Sequence, residues 1–243
     1  MTAAQHAARA QWVVVTREFF SREVLTVAPL LLGCVIAHET GDGLVGAKIT
    51  EVEAYRGESD PASHAFRGRT ARNAVMFGEP GHAYVYFTYG MHFCVNLVCQ
   101  PPGEAAAVLL RAGRVVDGTD LAAARRMADG GVGLPGRGAK APAERDLARG
   151  PARLCQALGI GRAQNGADVC DPAGRLRVLA PPGFAGLPPA TVRSGPRVGV
   201  RLGAEDDWRF WADGDQTVSA YRPHVPKRRS ADAGAERPAP KPM

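Results

Sequence analysis

Nothing in this sequence is apolar for long enough to cross a bilayer. Its longest apolar stretch, residues 24–37, is broken by Thr26, Pro29 and Gly33, where a spanning helix needs about 20 apolar residues. Residues 1–12 lack the apolar centre of a signal peptide, which predicts a chain kept in the reducing cytoplasm, with no membrane partner. Cysteine is sparse and scattered: Cys34, Cys94, Cys99, Cys155 and Cys170 form no C-x-x-C pair and no Cys/His grouping at metal-ligand spacing. Neither zinc nor an iron–sulfur cluster is expected, and no cofactor is called for. The glycine spacing at 131–136 matches G-x-G-x-x-G, but no strand precedes it and Pro135 lies inside it, so it reads as a loop rather than a dinucleotide site.

What the sequence does have is length for one domain, 243 residues with 45% hydrophobic, and many turns, with 29 glycines and 19 prolines. A mixed, strand-containing fold follows. The formal charge is +6, but it is concentrated. From residue 222 onward Arg222, Lys227, Arg228, Arg229, Arg237 and Lys241 face only Asp232 and Glu236, so six cations against two anions leave +4 in a Pro-rich tail expected to be disordered. The expected division is an N-terminal arm over 1–15, a domain over 16–221 and this basic tail over 222–243.

Along the chain, Thr16 to Glu23 has helix-start chemistry with Thr16 as N-cap. Residues 45–55 alternate as a strand, which puts Ile49, Glu51, Glu53 and Tyr55 on one face and Thr50, Val52 and Ala54 on the other. A loop over 56–81 is too long to be a simple connection and is a candidate for function. The aromatics, only 7% of the chain, then crowd together. Residues 82–88 and 91–99 read as two strands joined by a two-residue Tyr89-Gly90 turn, with Tyr89 exposed at the tip and Tyr84 and Phe87 given to packing. Residues 105–111, 175–180, 197–202 and 208–212 read as further strands, 120–128 as a helix, and Pro151 to Leu158 as a helix that stops at Gly159.

The ordinary reading of Glu51 or Glu53 alone is a solvated strand carboxylate. Two apart on a strand, they also sit too close for an inverting carboxylate pair. The combination says more: Glu53 and Tyr55, then His64, the run Tyr84-Val85-Tyr86-Phe87-Thr88-Tyr89-Gly90-Met91 with Asn96, and Arg111. Aromatic faces can stack a purine, amide and imidazole can read its edge, and one carboxylate can activate water.

Six ordered motifs, EVEAY at 51–55, SHAFRGRTARNAVMF at 63–77, PGHAYVYFTYGMHFCVN at 80–96, VLLRA at 108–112, GPARLCQALGI at 150–160 and RVGV at 197–200, resemble the alkyladenine (3-methyladenine) DNA glycosylases of the mammalian type. The resemblance covers roughly 16–221. It implies an α/β (α+β) fold: one compact domain with a curved antiparallel sheet, flanking helices and a protruding hairpin. It implies excision of alkylated or deaminated purines (3-methyladenine, 7-methylguanine, hypoxanthine, etheno-adenine) from double-stranded DNA by a monomer, leaving an abasic site. By the same resemblance Glu53 activates the water, Arg111 belongs to the catalytic neighbourhood, Tyr55, His64 and Tyr86 hold the flipped base, Asn96 excludes normal guanine and Tyr89 fills the gap in the helix. No lysine lies in these motifs, so no Schiff base is expected. Two alternatives remain. Leu134-Pro135-Gly136-Arg137-Gly138 looks like the hairpin of helix-hairpin-helix glycosylases, which would move the chemistry to an Asp such as Asp146, and a non-catalytic lesion-binding protein would keep the pocket without turnover. His92, where the family often has an aromatic, and a loop after His64 one residue shorter are departures.

Overall fold

The computed structural model describes residues 12–88, 90–128 and 141–224. Strands β1 (Val13–Val14), β2 (Val35–Thr40), β3 (Gly43–Tyr55), β4 (Ala83–Thr88), β5 (His92–Cys99), β6 (Ala106–Asp117), β7 (Leu176–Ala180), β8 (Val192–Gly195) and β9 (Arg209–Ala212) form one nine-stranded sheet. Its main path runs β1-β7-β2-β3-β6-β5-β4, and β9 joins β3 with β8 beside it. Every pairing is antiparallel. The sheet is open, and with its helices it makes a single α+β domain, as expected. It takes in Val13 and Val14, ahead of Thr16.

Short helices pack against it: α1 (Arg17–Phe20), α2 (Val24–Leu30), α3 (Thr119–Ala128) and α4 (Pro151–Leu158). The helix expected over 16–23 is only the short α1, and a second helix, α2, follows it. Glu23 starts the second, its carboxylate accepting from the backbone N–H of Leu25 at 2.7 Å and of Thr26 at 3.1 Å, while Thr16 makes no side-chain cap. A charged side-chain acceptor at Glu23 satisfies two orphan donors of the first turn of α2. α4 ends at left-handed Gly159, φ 67°, as its sequence predicts.

The core lies between sheet and helices and includes Phe20, Val27, Leu31, Ile36, Leu97, Leu110 and Leu154, all without exposure. β3 runs through its middle, and there the expected alternation fails at one point. Val45, Ala47 and Ile49 face the core, but so do Val52 and Ala54. Ile49 pairs with Gly113 and Glu51 with Ala112, so Thr50 is an extra residue on β3; Val52 then pairs with Leu110, so Arg111 is an extra residue on β6. Such register shifts invert the faces beyond them and recur beside active sites. Ile49 therefore packs in the core instead of sharing a face with Glu51 and Glu53, and Thr50 turns away to meet Thr217, hydroxyl to hydroxyl, at 2.7 Å.

Three more expectations differ from what is found. The β4–β5 connection is three residues, 89–91, because Thr88 pairs with His92. Phe87 is 41% exposed, near the end of β4 against Phe93, so it is not a core residue. Residues 197–202 form no strand: Gly199 has φ 70°, and the segment is drawn out of the sheet by Arg197 reaching Asp60 and Val198 reaching Glu53. The strand of that region is β8, five residues earlier.

Candidate active site

The two carboxylates of β3 have opposite fates. Glu51 Oε1 accepts from Arg111 Nε at 2.8 Å, Arg209 Nε at 2.7 Å and the Ser219 hydroxyl at 2.8 Å, and Oε2 accepts from the Ser219 N–H at 2.7 Å. Burial alone would raise its pKa, but the arginines Arg111 and Arg209 and the Ser219 N–H outweigh it and hold the carboxyl below its ordinary value. Held by four donors from three residues, Glu51 is an anchor.

Glu53 keeps capacity. It too has no exposed surface, yet among the described residues it accepts three contacts: Val198 N–H at 2.7 Å and Arg111 at 3.1 Å on Oε1, and the Tyr55 hydroxyl at 2.8 Å on Oε2. A carboxylate offers about four lone-pair sites, so one on Oε2 remains for a water. Arg111, the extra residue of β6, spans both carboxylates.

Around Tyr55 lies a cavity of about 50 Å³ lined with Ser63, His64, Tyr84, Tyr86 and Asn96 among others. Tyr84 and Tyr86 alternate onto this side of β4 and lie nearly parallel, 5.6 Å between ring centres. His64 meets Tyr86 edge-on at 4.5 Å, and its Nδ1 is 3.1 Å from the Tyr84 hydroxyl. Burial, then the nearby charge of Arg72, lowers the His64 pKa, which favours the neutral ring. Burial raises Tyr55 and Tyr86, and Glu53 beside them raises both further, so both remain phenols able to donate. Asn96 on β5 is buried and donates to the Tyr84 carbonyl at 3.2 Å. Tyr84, expected as packing, is buried and also lines the cavity. The structure thus brings Glu53, Arg111, Tyr55, His64, Tyr86 and Asn96 together; Tyr89 lies outside the described residues, as do 134–138. Asp146 pairs with Arg145 and Arg149 away from this cavity.

Several residues that hold the site escaped the sequence reading. Arg197, with no exposed side chain, forks onto Asp60 at 2.5 and 3.0 Å and donates to the Ala54 carbonyl at 3.1 Å. Its guanidinium lies 4.8 Å from the ring centres of both Tyr55 and Trp208. It therefore fixes the back of Tyr55 and the turn that delivers Val198 N–H to Glu53. Asn73 donates to the carbonyls of His64 and Gly68 at 2.9 and 3.0 Å, closing the loop that carries His64. Gly57, φ 66°, lets the chain leave β3 under the 100–105 segment, where a Cβ would sit 2.5 Å from the Glu104 carbonyl oxygen. Both Arg197 and Asn73 stand inside the six motifs, but nothing in their spacing says that they are buried.

On the other side of Glu53, Arg111 and Val198 also border a cleft of about 390 Å³ with Arg149, Arg153 and Arg222. Exposed Arg67, Arg69 and Arg72 stand on the loop that carries His64. A mostly uncharged cavity between two groups of arginines suits a nucleobase with phosphates on either side.

The chain matches the family described as Methylpurine-DNA glycosylase (MPG) over residues 18–216. It is 54% identical over 216 residues to a protein of Streptomyces avermitilis, covering 88% of this chain and 94% of that one. It is 50% identical to one of Leifsonia xyli, covering 86% and 92%, and 46% identical to one of Burkholderia orbicola, covering 87% and 94%. All three bear the name "Putative 3-methyladenine DNA glycosylase".

Proposed function

The chain belongs to the methylpurine-DNA glycosylase family, and from that premise we propose that it is a monofunctional DNA repair glycosylase that flips a damaged purine into the Tyr55–His64–Tyr86 cavity and hydrolyses its glycosidic bond with a water activated by Glu53. Family membership sets aside the helix-hairpin-helix and non-catalytic alternatives. The observation that carries the reading is the difference between the two carboxylates: Glu51 is held by four donors from two arginines and Ser219, whereas Glu53 accepts three contacts and its Oε2 is bonded only by Tyr55, a residue that lines the cavity.

Flipping costs a few kcal/mol of stacking and pairing, least at a weakened pair. Stacking a base on an aromatic side chain contributes about 1–3 kcal/mol, so Tyr55 and Tyr86 with the His64 ring are of the size to offset it. The cavity is smaller than a purine, so entry requires the His64 edge to move from Tyr86.

With the base seated, C1′ lies between the cavity and the arginine cleft. The C1′–N9 bond breaks and its electron pair leaves with the purine. The oxocarbenium-like sugar is stabilised by the Glu53 carboxylate, and the water oxygen bonds to C1′ as its proton passes to Glu53. Arg111 holds the carboxylate in place through Oε1. A purine alkylated at N3 or N7 is cationic and leaves readily; hypoxanthine and etheno-adenine are neutral and need a proton. Asn96 at the cavity wall is placed to reject the exocyclic amine of normal guanine. All these groups come from one chain, which supports action on DNA as a monomer.

Single-turnover excision on duplexes with one hypoxanthine or one 3-methyladenine tests this. Wild type is expected to leave an abasic site without cutting the strand, and Glu53→Gln to bind damaged duplex with no excision. Wild-type rates in the Glu53→Gln variant would sink the assignment.

A further inference from the structure

Arg72 places a positive charge against the tyrosine pair of the cavity. It sits on the loop closed by Asn73, it is exposed, and its guanidinium carbon lies 5.8 Å from the centre of the Tyr86 ring. Its charge also acts at the Tyr84 hydroxyl, where it opposes the upward push of burial, the same hydroxyl that meets His64. A purine stacking against Tyr86 or His64 comes within several ångströms of this charge. On the reading that the cavity takes a flipped purine, we propose that Arg72 is a specificity residue that weighs the charge of the lesion, disfavouring cationic alkylated purines in the pocket and so tilting excision toward neutral ones.

The pocket already contains a reporter of that effect. His64 occupies the rim a base must pass, and Arg72 adds to burial in opposing its positive form. A purine made cationic by methylation at N7 meets the same repulsion, whereas hypoxanthine does not. Two unit charges roughly 8 Å apart in an effective dielectric of about 40, between surface protein and water, differ by about fivefold in occupancy.

The test uses the full-length protein at saturating concentration, so that DNA affinity drops out. Single-turnover rates are measured on matched duplexes with one 7-methylguanine or one hypoxanthine, for wild type, Arg72→Gln, Arg72→Ala and the charge-conserving Arg72→Lys. The ratio of the 7-methylguanine rate to the hypoxanthine rate is expected to rise about fivefold in the Gln and Ala variants and to stay within about twofold of wild type in Lys. A ratio unchanged in Gln and Ala, with both rates falling together, overturns the proposal and leaves Arg72 as a phosphate contact or loop support. Wild-type protein that excises neither base overturns the glycosylase reading, and the proposal with it.

Discussion

The Tyr55 hydroxyl donates a 2.8 Å hydrogen bond to Oε2 of Glu53, so the residue that forms the cavity wall also orients the carboxylate behind it. Tyr55→Phe keeps the ring and removes the bond. Hydrogen bonds to charged groups contribute about 1.5–3 kcal/mol, so excision is expected to slow by roughly tenfold to a hundredfold with damaged-DNA binding little changed. Single-turnover rates beside binding isotherms check this; an equal loss in both would place Tyr55 in binding alone.

Arg197 is the buried partner of Asp60 and the platform under Tyr55. Removing one member of a buried ion pair leaves an uncompensated charge, at about 3–5 kcal/mol. Arg197→Met is therefore expected to lower the melting temperature by on the order of 10 °C for a chain of this size. The double variant Arg197→Met/Asp60→Asn, which removes both charges, is expected to recover part of the loss. A melting temperature within about 2 °C of wild type for the single variant would show that the pair is not holding this turn.

Glu51 makes stability depend on acid. Its folded pKa lies below the 4.5 of the free side chain, so the unfolded chain takes up the proton first as pH falls. Its contribution is fully present above about pH 4.5 and is lost as pH drops through the lower folded value. Wild type is expected to lose stability steeply there, while Glu51→Gln is less stable at neutral pH and has a shallower acid limb. Thermal melts from neutral pH down to roughly pH 3 decide it, and parallel curves would remove Glu51 as the source.

How far the sequence carried these features depends on their range. The helix over 151–158 announces its ends with Pro151 and Gly159, which act locally. The alternation of β3 puts Glu51, Glu53 and Tyr55 on one side, and the six ordered motifs name the remaining site residues. The failures are tertiary. An extra residue at Thr50 or at Arg111 exists only in the register of two strands, and nothing in ITEVEAY announces that Ile49 faces the opposite side from Glu51. Arg197-Val198-Gly199-Val200 alternates like a strand, yet its fate is set by Asp60, 137 residues earlier. Glu51 and Glu53 look alike in sequence, and only the converging Arg209 and Ser219 set Glu51 apart.

The basic tail from residue 222 carries +4 of the chain's +6. Removing 223–243, which leaves Arg222 and takes away five of the tail's cations and both its anions, is expected to weaken non-specific DNA binding and to flatten its salt dependence, by about 0.9 in log–log slope for each phosphate that the tail neutralises. Lesion preference is expected to stay as it is. Binding isotherms across a salt series on undamaged duplex measure the slope, and an unchanged slope would show that the tail does not touch DNA.

Tyr89 lies outside the described residues, but its flanks do not. Before it in the sequence, Thr88 ends β4, the strand that carries Tyr84 and Tyr86, and after it Gly90 has a φ of 68°, which marks a tight turn. The two apolar residues nearest it in sequence, Phe87 and Met91, are 41% and 56% exposed, a surface of the kind that wedges between base steps from the minor groove. Tyr89→Ala is expected to lower the fraction of lesions held flipped, and with it the excision rate on a hypoxanthine duplex. A single strand has no partner stack to fill, so the same substitution is expected to matter much less there. The melting temperature is expected to change little. The measurement is the ratio of wild-type to variant single-turnover rates on the duplex and on the matching single strand, with a thermal melt beside it. Equal losses on the two substrates, or a collapsed melt, would return Tyr89 to a packing role.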